Sequence, residues 1–299
     1  MLNSGWTYRE QVDPAAHGWT VLDYYTRRHR HSDAAQWQAR IAAGQIRLDG
    51  VPPASHTRLV RGQWLTYHRA PWQEPPVPSF AVLYEDLHML AIVKPAGLPV
   101  LPGGGFVEHT LLGQLKARYP GPPPVPVHRL GRGTSGLMLL ARTPLARADL
   151  SLQMRERRIR KTYRALVSGI PPLTFTVREP IGRIPYPVLG YLYAASPGGL
   201  PAESECRVLK YGALSTLLEV TIHTGRPHQI RIHLAAAGYP LVGDPLYQPG
   251  GLPLSPAPGE KLVVPGDCGY HLHALHLAFT HPDGEHRELT CPPPPELEL

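Results

Sequence analysis

The chain has 299 residues, of which 42% are hydrophobic and 18% are charged, enough apolar material for one or two packed domains. It has no run of roughly 18 apolar residues and no apolar signal core at its start, so we expect no membrane span and a cytoplasmic location. A formal net charge of +7 favours nucleic acid as a partner. The three cysteines are too widely spaced for a disulfide framework or a zinc site.

Residues 21–70 have the pattern of a small α/β module. A helix is predicted with Ser32 as its N-cap and Gly44 at its C-terminal end. "QIRLDGVP" predicts a hairpin at its Asp-Gly turn, and "LVRGQWLTYHR" predicts a second strand pair around Gly62. The interspersed arginines form either a solvated basic face or a surface that grips RNA phosphates; they are Arg27, Arg28, Arg30, Arg40, Arg47, Arg58 and Arg61.

Residues 71–79 contain four prolines and predict a stiff linker. Beyond them, strand patterns outnumber helical ones, including two strands divided by a turn at Glu85–Asp86 and a buried strand at 136–142. This pattern predicts an α+β domain around a mixed or antiparallel sheet. The closing stretch "PPPPELEL", residues 292–299, predicts a disordered tail.

Two further patterns suggest other chemistry. "GRGTSG" is similar to a phosphate loop and indicates a nucleotide-dependent enzyme, but Leu137 and Met138 follow where such a loop needs Lys and then Ser or Thr. His271, His273 and His276 suggest a metal, yet the chain has sixteen histidines and no acidic or cysteine partner at ligand spacing. We expect neither a metal nor a cofactor.

The segment "TGRPHQIRIHLAAAGYPLVGDPLY", residues 224–247, concentrates polar side chains at the start of a predicted helix. Backbone N–H groups point outward at such a helix start and favour anions. The pattern fits either an N-terminal cap with solvated arginines or a polar site. The side chains are Arg226, His228, Gln229, Arg231 and His233.

Four stretches in order resemble the motifs of RluA-type RNA pseudouridine synthases: "VLYEDLHMLAIVKPAGLPV", "PVHRLGRGTSGLMLLAR", "KTYRALVSG" and the 224–247 segment. Residues 15–70 resemble the small S4-like RNA-binding domain that commonly precedes the catalytic domain. The resemblance implies an α+β catalytic domain with a mixed or antiparallel sheet at residues 80–291, joined to the RNA-binding domain by the linker.

The resemblance implies isomerisation of uridine to pseudouridine in structured RNA, ribosomal or transfer RNA, by a monomer that needs no cofactor. The bond from ribose to N1 breaks, the base turns, and it rejoins through C5 after leaving its stack. Tyr163 is implied to pack against the base, and Arg231 to pair with the catalytic carboxylate. The implied RNA contacts are His128, Arg129, Arg132, Thr134, Arg226, His228, Gln229, Arg40 and Arg47.

One position departs from the family pattern. The catalytic Asp of the family follows "HRL", where this chain has Gly131, and no Asp or Glu occurs between Glu108 and Asp149. Three interpretations stay open: an active synthase that uses another acid, Asp244 or Glu219; a non-catalytic RNA-binding relative that acts as a chaperone or assembly factor; and the nucleotide-dependent enzyme. Without that carboxylate, Arg231 is expected to hold a phosphate, another anion or a carboxylate from elsewhere, so Gly131→Asp should be tolerated.

Overall fold

The computed structural model describes residues 2–187, 189–254 and 262–299. The chain divides into two units, one made of Pro76–Ile184 and Tyr193–Leu299, the other of the remaining described residues. No helix in the described ranges is long and apolar enough to cross a membrane.

The N-terminal unit is a three-stranded antiparallel sheet with two helices against it. Its strands lie in the order β1-β3-β2. Trp37, Tyr25 and Leu65 are fully buried between the helices and the sheet and form its core. The elements are β1 (Trp6–Gln11), α1 (Val21–Arg28), α2 (Ala34–Ala42), β2 (Ile46–Leu48) and β3 (Trp64–Arg69).

The start of α2 differs from the predicted one. Asp33, and not Ser32, is the N-cap, because its carboxylate accepts the Gln36 amide while the Gln36 side chain accepts the Asp33 amide. Ser32 instead accepts a hydrogen bond from Arg40. The predicted end is close to the observed one, since Gly44 follows the helix at a φ of +69°.

The strand pairing of this unit also differs in part. The Asp-Gly turn is present, with Asp49 and Gly50 both at positive φ, as a two-residue hairpin turn of type I′ requires. The second predicted strand pair is wrong. Val60 and Gln63 close a turn at Gly62, so only β3 extends from this stretch.

The second unit is built on one large sheet. The elements from residue 81 onward are, in chain order, β4 (Ala81–Glu85), β5 (Met89–Lys94), α3 (Leu111–Arg118), β6 (Val125–Pro126), β7 (Ser135–Ala141), α4 (Pro144–Arg155), β8 (Arg160–Ser168), β9 (Thr174–Val177), β10 (Ile181–Tyr186), β11 (Gly190–Ala195), β12 (Ser204–Tyr211), β13 (Ser215–Ile222), α5 (Gln229–Ala236), β14 (Tyr247–Gln248), β15 (Leu252–Pro253), β16 (Leu272–Thr280) and β17 (His286–Thr290). The end of β10 and the start of β11 fall within Pro185–Leu192, which is counted with the N-terminal unit. The main strands lie in the order β4-β5-β7-β16-β8-β13-β12-β9, with β17 beside β16 and β6 beside β7. Since β16 and β7 are parallel and their other neighbours antiparallel, the predicted mixed α+β fold is confirmed.

The central strand β7 shows why its sequence is almost continuously apolar. Met138 and Leu140 belong to the core on one face of the sheet, whereas Leu137 and Leu139 belong to the core on the other. Successive side chains of a strand point to opposite faces, so a strand covered on both sides has no polar alternation. The face of Met138 also carries Tyr163 of β8, and this face holds the site described below.

The predicted disorder of the C-terminal tail is wrong. Pro295–Leu297 form a short 3-10 helix that lies against β8. The Leu297 side chain is 1% exposed, so the tail contributes an apolar anchor to the sheet.

We expect Leu297→Ala to lower the free energy of unfolding by about 2–4 kcal/mol, because it removes buried methyl groups and leaves a cavity. Leu299→Ala is the matched control, since Leu299 is 70% exposed. Chemical denaturation measures both variants. Identical midpoints for the two would contradict the packed tail.

Candidate active site

The turn that contains Gly131 is held by backbone and by one buried lysine. The Thr134 amide donates to the Gly131 carbonyl at 3.1 Å. The Lys94 Nζ, fully buried, donates to the carbonyls of Leu98 at 2.9 Å and Arg132 at 3.1 Å. These hydrogen bonds fix the backbone of the turn that follows "HRL" and leads into β7.

A cavity of about 840 Å³ opens beside this turn on the face of the sheet that carries β8 and α5. Gly131, Tyr163 and Arg231 all line it. The structure thus brings together the three residues that the family motifs single out. The other expected RNA contacts that line it are His128, Arg129, Thr134, Arg226, His228 and Gln229.

Three expected RNA contacts lie elsewhere. Arg132 is outside the cavity lining and donates from Nε to the Gly266 carbonyl at 2.6 Å. Arg40 and Arg47 belong to the N-terminal unit. The Arg40 guanidinium stacks over the Trp37 ring at 4.4 Å from its centroid and donates to the Ser32 hydroxyl.

The wall of the cavity is strongly basic. Its described residues include six Arg and Lys side chains and no Asp or Glu. Such a concave, one-sign surface concentrates anions and suits the phosphates of a nucleic acid. The cations are Arg129, Arg155, Arg157, Lys161, Arg226 and Arg231.

Tyr163 supplies a flat ring to this wall. It lies on β8 with Val220 and Ala274 as its cross-strand neighbours and is 7% exposed. Burial raises the pKa of Tyr163, so the phenol stays neutral. A neutral ring held by strands on both sides can stack on an extruded base.

Arg231 already has a carboxylate partner, supplied by Asp244. Its Nε and Nη2 donate to the two oxygens of Asp244 at 2.7 Å each, and its Nη1 donates to the Pro265 carbonyl. The two side chains are 3% and 1% exposed. Asp244 Oδ1 also accepts the amides of Leu246 and Tyr247, so the buried charges are paired and hydrogen-bonded.

Neither acid considered as a substitute for the missing Asp lines the cavity. Asp244 is outside the lining, and both of its oxygens accept hydrogen bonds from Arg231. Glu219 pairs with Arg164 in the β8–β13 register. Arg164 directly follows Tyr163, and successive side chains of a strand point to opposite faces, so Glu219 faces the side of the sheet away from Tyr163. It accepts a hydrogen bond from Arg207 at 2.8 Å there.

The space at Gly131 is occupied by a tyrosine that the motifs did not indicate. A Cβ built on Gly131 would lie 3.0 Å from the Tyr270 Oη and 3.5 Å from the Thr134 Oγ1. An Asp at this position would require Tyr270 to shift by a few tenths of an ångström. Arg231 holds Asp244, so the expected carboxylate from elsewhere is present. The expected tolerance of Gly131→Asp rested on a waiting cation, and it now depends on whether Tyr270 can shift.

The two histidines of the cavity wall are neutral. His228 caps α5 in the left-handed region, at a φ of +56°. Its Nδ1 donates to the Tyr247 hydroxyl, because that hydroxyl gives its own proton to the Tyr193 carbonyl. His128 Nε2 accepts the Leu139 amide. Burial lowers the pKa of each to about 4. They therefore add no positive charge at neutral pH.

We expect Asp244→Asn to lower the free energy of unfolding by about 3–5 kcal/mol, because it leaves the Arg231 cation buried without its counter-charge. Arg231→Met should have a similar effect, and the double variant should lose less than the sum. The exposed pair Arg178–Glu203 is the control, where Arg178→Met should change stability by less than about 1 kcal/mol. Additive losses at Arg231 and Asp244 in denaturant titrations would contradict the coupling.

Lys94 should make stability depend on pH. Burial lowers its pKa from 10.5 to about 7, so between these values the unfolded chain binds one more proton than the folded one. Stability should then rise with pH over this range, by at most about 1.4 kcal/mol per pH unit. Lys94→Met should flatten the rise in urea titrations from pH 7 to pH 9, and parallel profiles would contradict the assignment.

The chain has clear relatives of known family. The family model for RNA pseudouridylate synthase matches residues 88–236. A Synechocystis protein named an uncharacterized RNA pseudouridine synthase is 51% identical over 93% of this chain and 95% of its own. RNA pseudouridine synthase 5 of Arabidopsis thaliana is 40% identical over 99% of this chain and 95% of its own. A ribosomal large subunit pseudouridine synthase D of Neisseria meningitidis is 34% identical over 86% and 71%, respectively.

Solved structures agree with these sequence relatives. The human RNA pseudouridylate synthase domain containing 1 superposes with a TM-score of 0.58 at 26% identity, over 76% of this chain and 89% of the human chain. The human protein named RNA pseudouridylate synthase domain containing 4 superposes with a TM-score of 0.56 at 27% identity. The chain therefore belongs to the RNA pseudouridine synthase family, whose members are isomerases that act on uridine in RNA.

Proposed function

We propose that this protein isomerises a uridine to pseudouridine in structured RNA and holds the extruded base in the cavity beside Gly131. The observation that carries the proposal is the cavity itself. It gathers the Gly131 turn, Tyr163 and Arg231 within a wall that has six cations and no acid among its described residues. Such a wall attracts a polyanion and would repel a cationic ligand.

The roles of the wall residues follow from their chemistry. Tyr163 stacks on the base once it has left the RNA. The exposed Arg129 and the half-buried Arg226 contact the flanking phosphates, where guanidinium groups bind bidentately. Uridine and pseudouridine are isomers, so the reaction transfers one proton from C5 to N1 and needs no electron donor or acceptor.

The N-terminal unit is proposed to be an S4-like RNA-binding domain. Its arginines lie near aromatic rings in several places; Arg27, for example, lies 4.6 Å from the centroid of the Trp19 ring. Guanidinium groups held in this way bind phosphate with less loss of side-chain freedom. Ribosomal RNA is the first substrate to test because of the name of the Neisseria relative, with transfer RNA second. A cytoplasmic monomer fits both substrates.

The test of the function is product formation. Purified full-length protein is incubated with ribosomal and transfer RNA labelled with tritium at C5 of uracil, and tritium release and new pseudouridine positions are measured. Release at one or a few uridines supports the proposal. Tight RNA binding without release on either RNA would leave a binding role as the function instead.

We expect Arg129→Ala to weaken RNA binding and to lower the slope of log K against log salt by about 0.9, the value for one lost phosphate contact. The slope arises because each bound phosphate releases counterions. Arg178→Ala is the charge-matched control, since Arg178 is 70% exposed and outside the cavity lining. Equal slopes for the two variants, from binding isotherms at several salt concentrations, would remove Arg129 from the RNA contact.

A further inference from the structure

Two glycines of the "GRG" sequence make room for the ring of Tyr270. A Cβ on Gly133 would lie 2.9 Å from the Tyr270 ring, and a Cβ on Gly131 would lie 3.0 Å from its hydroxyl. Gly131 and Gly133 are both outside the left-handed region, so backbone conformation does not require glycine at either position. Close approach of the tyrosine explains both glycines.

The surroundings of Tyr270 hold its hydroxyl where the family's carboxylate would begin. The ring lines the cavity and is 5% exposed. Its Oη lies 3.2 Å from the Thr134 Oγ1, and the Arg231 guanidinium lies over the ring at 4.2 Å from the centroid. Asp244 accepts hydrogen bonds from Nε and Nη2 at one edge of that guanidinium and fixes its orientation. A cation on the ring face stabilises negative charge as it develops on the phenol oxygen.

We propose that Tyr270 is a catalytic residue and that its phenolic oxygen takes the part that a carboxylate at position 131 would take. This inference rests on the proposed function. The described wall of the cavity contains no Asp or Glu, so another group must supply the reactive oxygen. A phenol can be buried there because it is neutral at rest and needs no counter-charge.

The reaction balances with one tyrosine. The phenol oxygen attacks C1′ of the ribose, the C1′–N1 bond breaks, and the phenol proton passes to N1 of the departing uracil. After the base turns, C5 attacks C1′ and the C1′–O bond to the phenol breaks. The phenolate then takes the proton from C5, which restores the tyrosine. Tyrosine serves as a nucleophile at a sugar carbon in some glycosidases, so the chemistry has precedent.

Apart from Tyr163, whose ring is assigned to stacking on the base, the other hydroxyl and imidazole groups of the described wall are less suited. The Thr134 hydroxyl is a much weaker acid and lies against Tyr270. The Thr224 hydroxyl donates to the buried Gln229 side chain. The two histidines are occupied by the Leu139 amide and the Tyr247 hydroxyl. Tyr270 has the phenol hydroxyl nearest the Gly131 position, 3.0 Å from a Cβ built there. Burial raises the pKa of Tyr270 and Arg231 acts in the opposite direction, so the phenol is neutral at rest.

The experiment compares full-length Tyr270→Phe with the natural protein under single-turnover conditions. Tyr270→Phe keeps the ring under Arg231 and removes only the oxygen, so RNA affinity should be unchanged. Tritium release from C5 should slow by about 10²–10⁴-fold, the usual loss for a proton-transfer or nucleophilic group. Tyr239→Phe is the matched control, because Tyr239 lies outside the cavity lining, and its rate should be natural.

The variant Gly131→Asp/Tyr270→Phe provides a rescue. Without the hydroxyl, the nearest atom to a Cβ at 131 is the Thr134 Oγ1 at 3.5 Å, an ordinary contact. The double variant should therefore release tritium at least about tenfold faster than Tyr270→Phe alone. Gly131→Asp by itself places two reactive groups in one space and should be slower than the natural protein.

Three outcomes overturn the inference, and they are distinguishable. A natural rate in Tyr270→Phe leaves the proposed function intact but removes Tyr270 from the chemistry. Release by the double variant and none by the natural protein would show that Tyr270 blocks the site. Release by neither would defeat the proposed function as well. If Tyr270→Phe fails to fold, Thr134→Ala takes its place, and an unchanged rate there counts against the inference.

Discussion

The buried pair of Arg231 and Asp244 is the interaction on which the site depends. Moving two charges out of water is costly, and here two parallel hydrogen bonds of 2.7 Å and further backbone partners offset that loss. The pair joins α5 to the segment that follows it. The Pro265 carbonyl, which accepts a hydrogen bond from Arg231, ties a third segment to the same side chain. The guanidinium is thereby a fixed wall against which Tyr270 packs.

This arrangement changes the meaning of a glycine at the expected catalytic position. A deleted carboxylate would leave Arg231 as a buried cation without a partner, which a folded protein rarely tolerates. Here Arg231 has Asp244, and the freed space contains the Tyr270 hydroxyl. Gly131, Gly133 and Tyr270 therefore form one packing unit, and a change at any of the three affects the others.

Local sequence signals predicted much of the fold. The buried strand β7, the turn at Glu85–Asp86 and the mixed sheet follow from apolar runs and turn residues, which act over a few positions. The errors arose where two local choices were nearly equal, as between Ser32 and Asp33 at a helix start. The tail was wrong because Leu297 is held by a distant strand that its own sequence does not reveal.

The site was predictable only as far as the motifs extend. Gly131, Tyr163 and Arg231 were named because family motifs carry them, and all three line the cavity, whereas their roles stay predictions. Asp244 was one of two acids left open, since sequence spacing alone cannot tell which face of the fold an acid occupies. Tyr270 was missed altogether. It is 139 positions from Gly131, in a stretch that matched no motif. From the sequence alone, a glycine required by the close approach of a distant ring cannot be distinguished from a glycine required by a turn.

The cation-lined cavity also limits how a reacting group can work in it. A carboxylate at position 131 would be charged at neutral pH and would be drawn to the nearest of six cations, with Arg231 already committed to Asp244. A phenol carries no charge until the reaction creates one. Negative charge then appears beside the face of Arg231, only as bonds break, so the stabilisation is greater in the transition state than in the resting enzyme. Basic walls that bind RNA phosphates and a neutral acid that becomes anionic during the reaction are thus compatible in a single pocket.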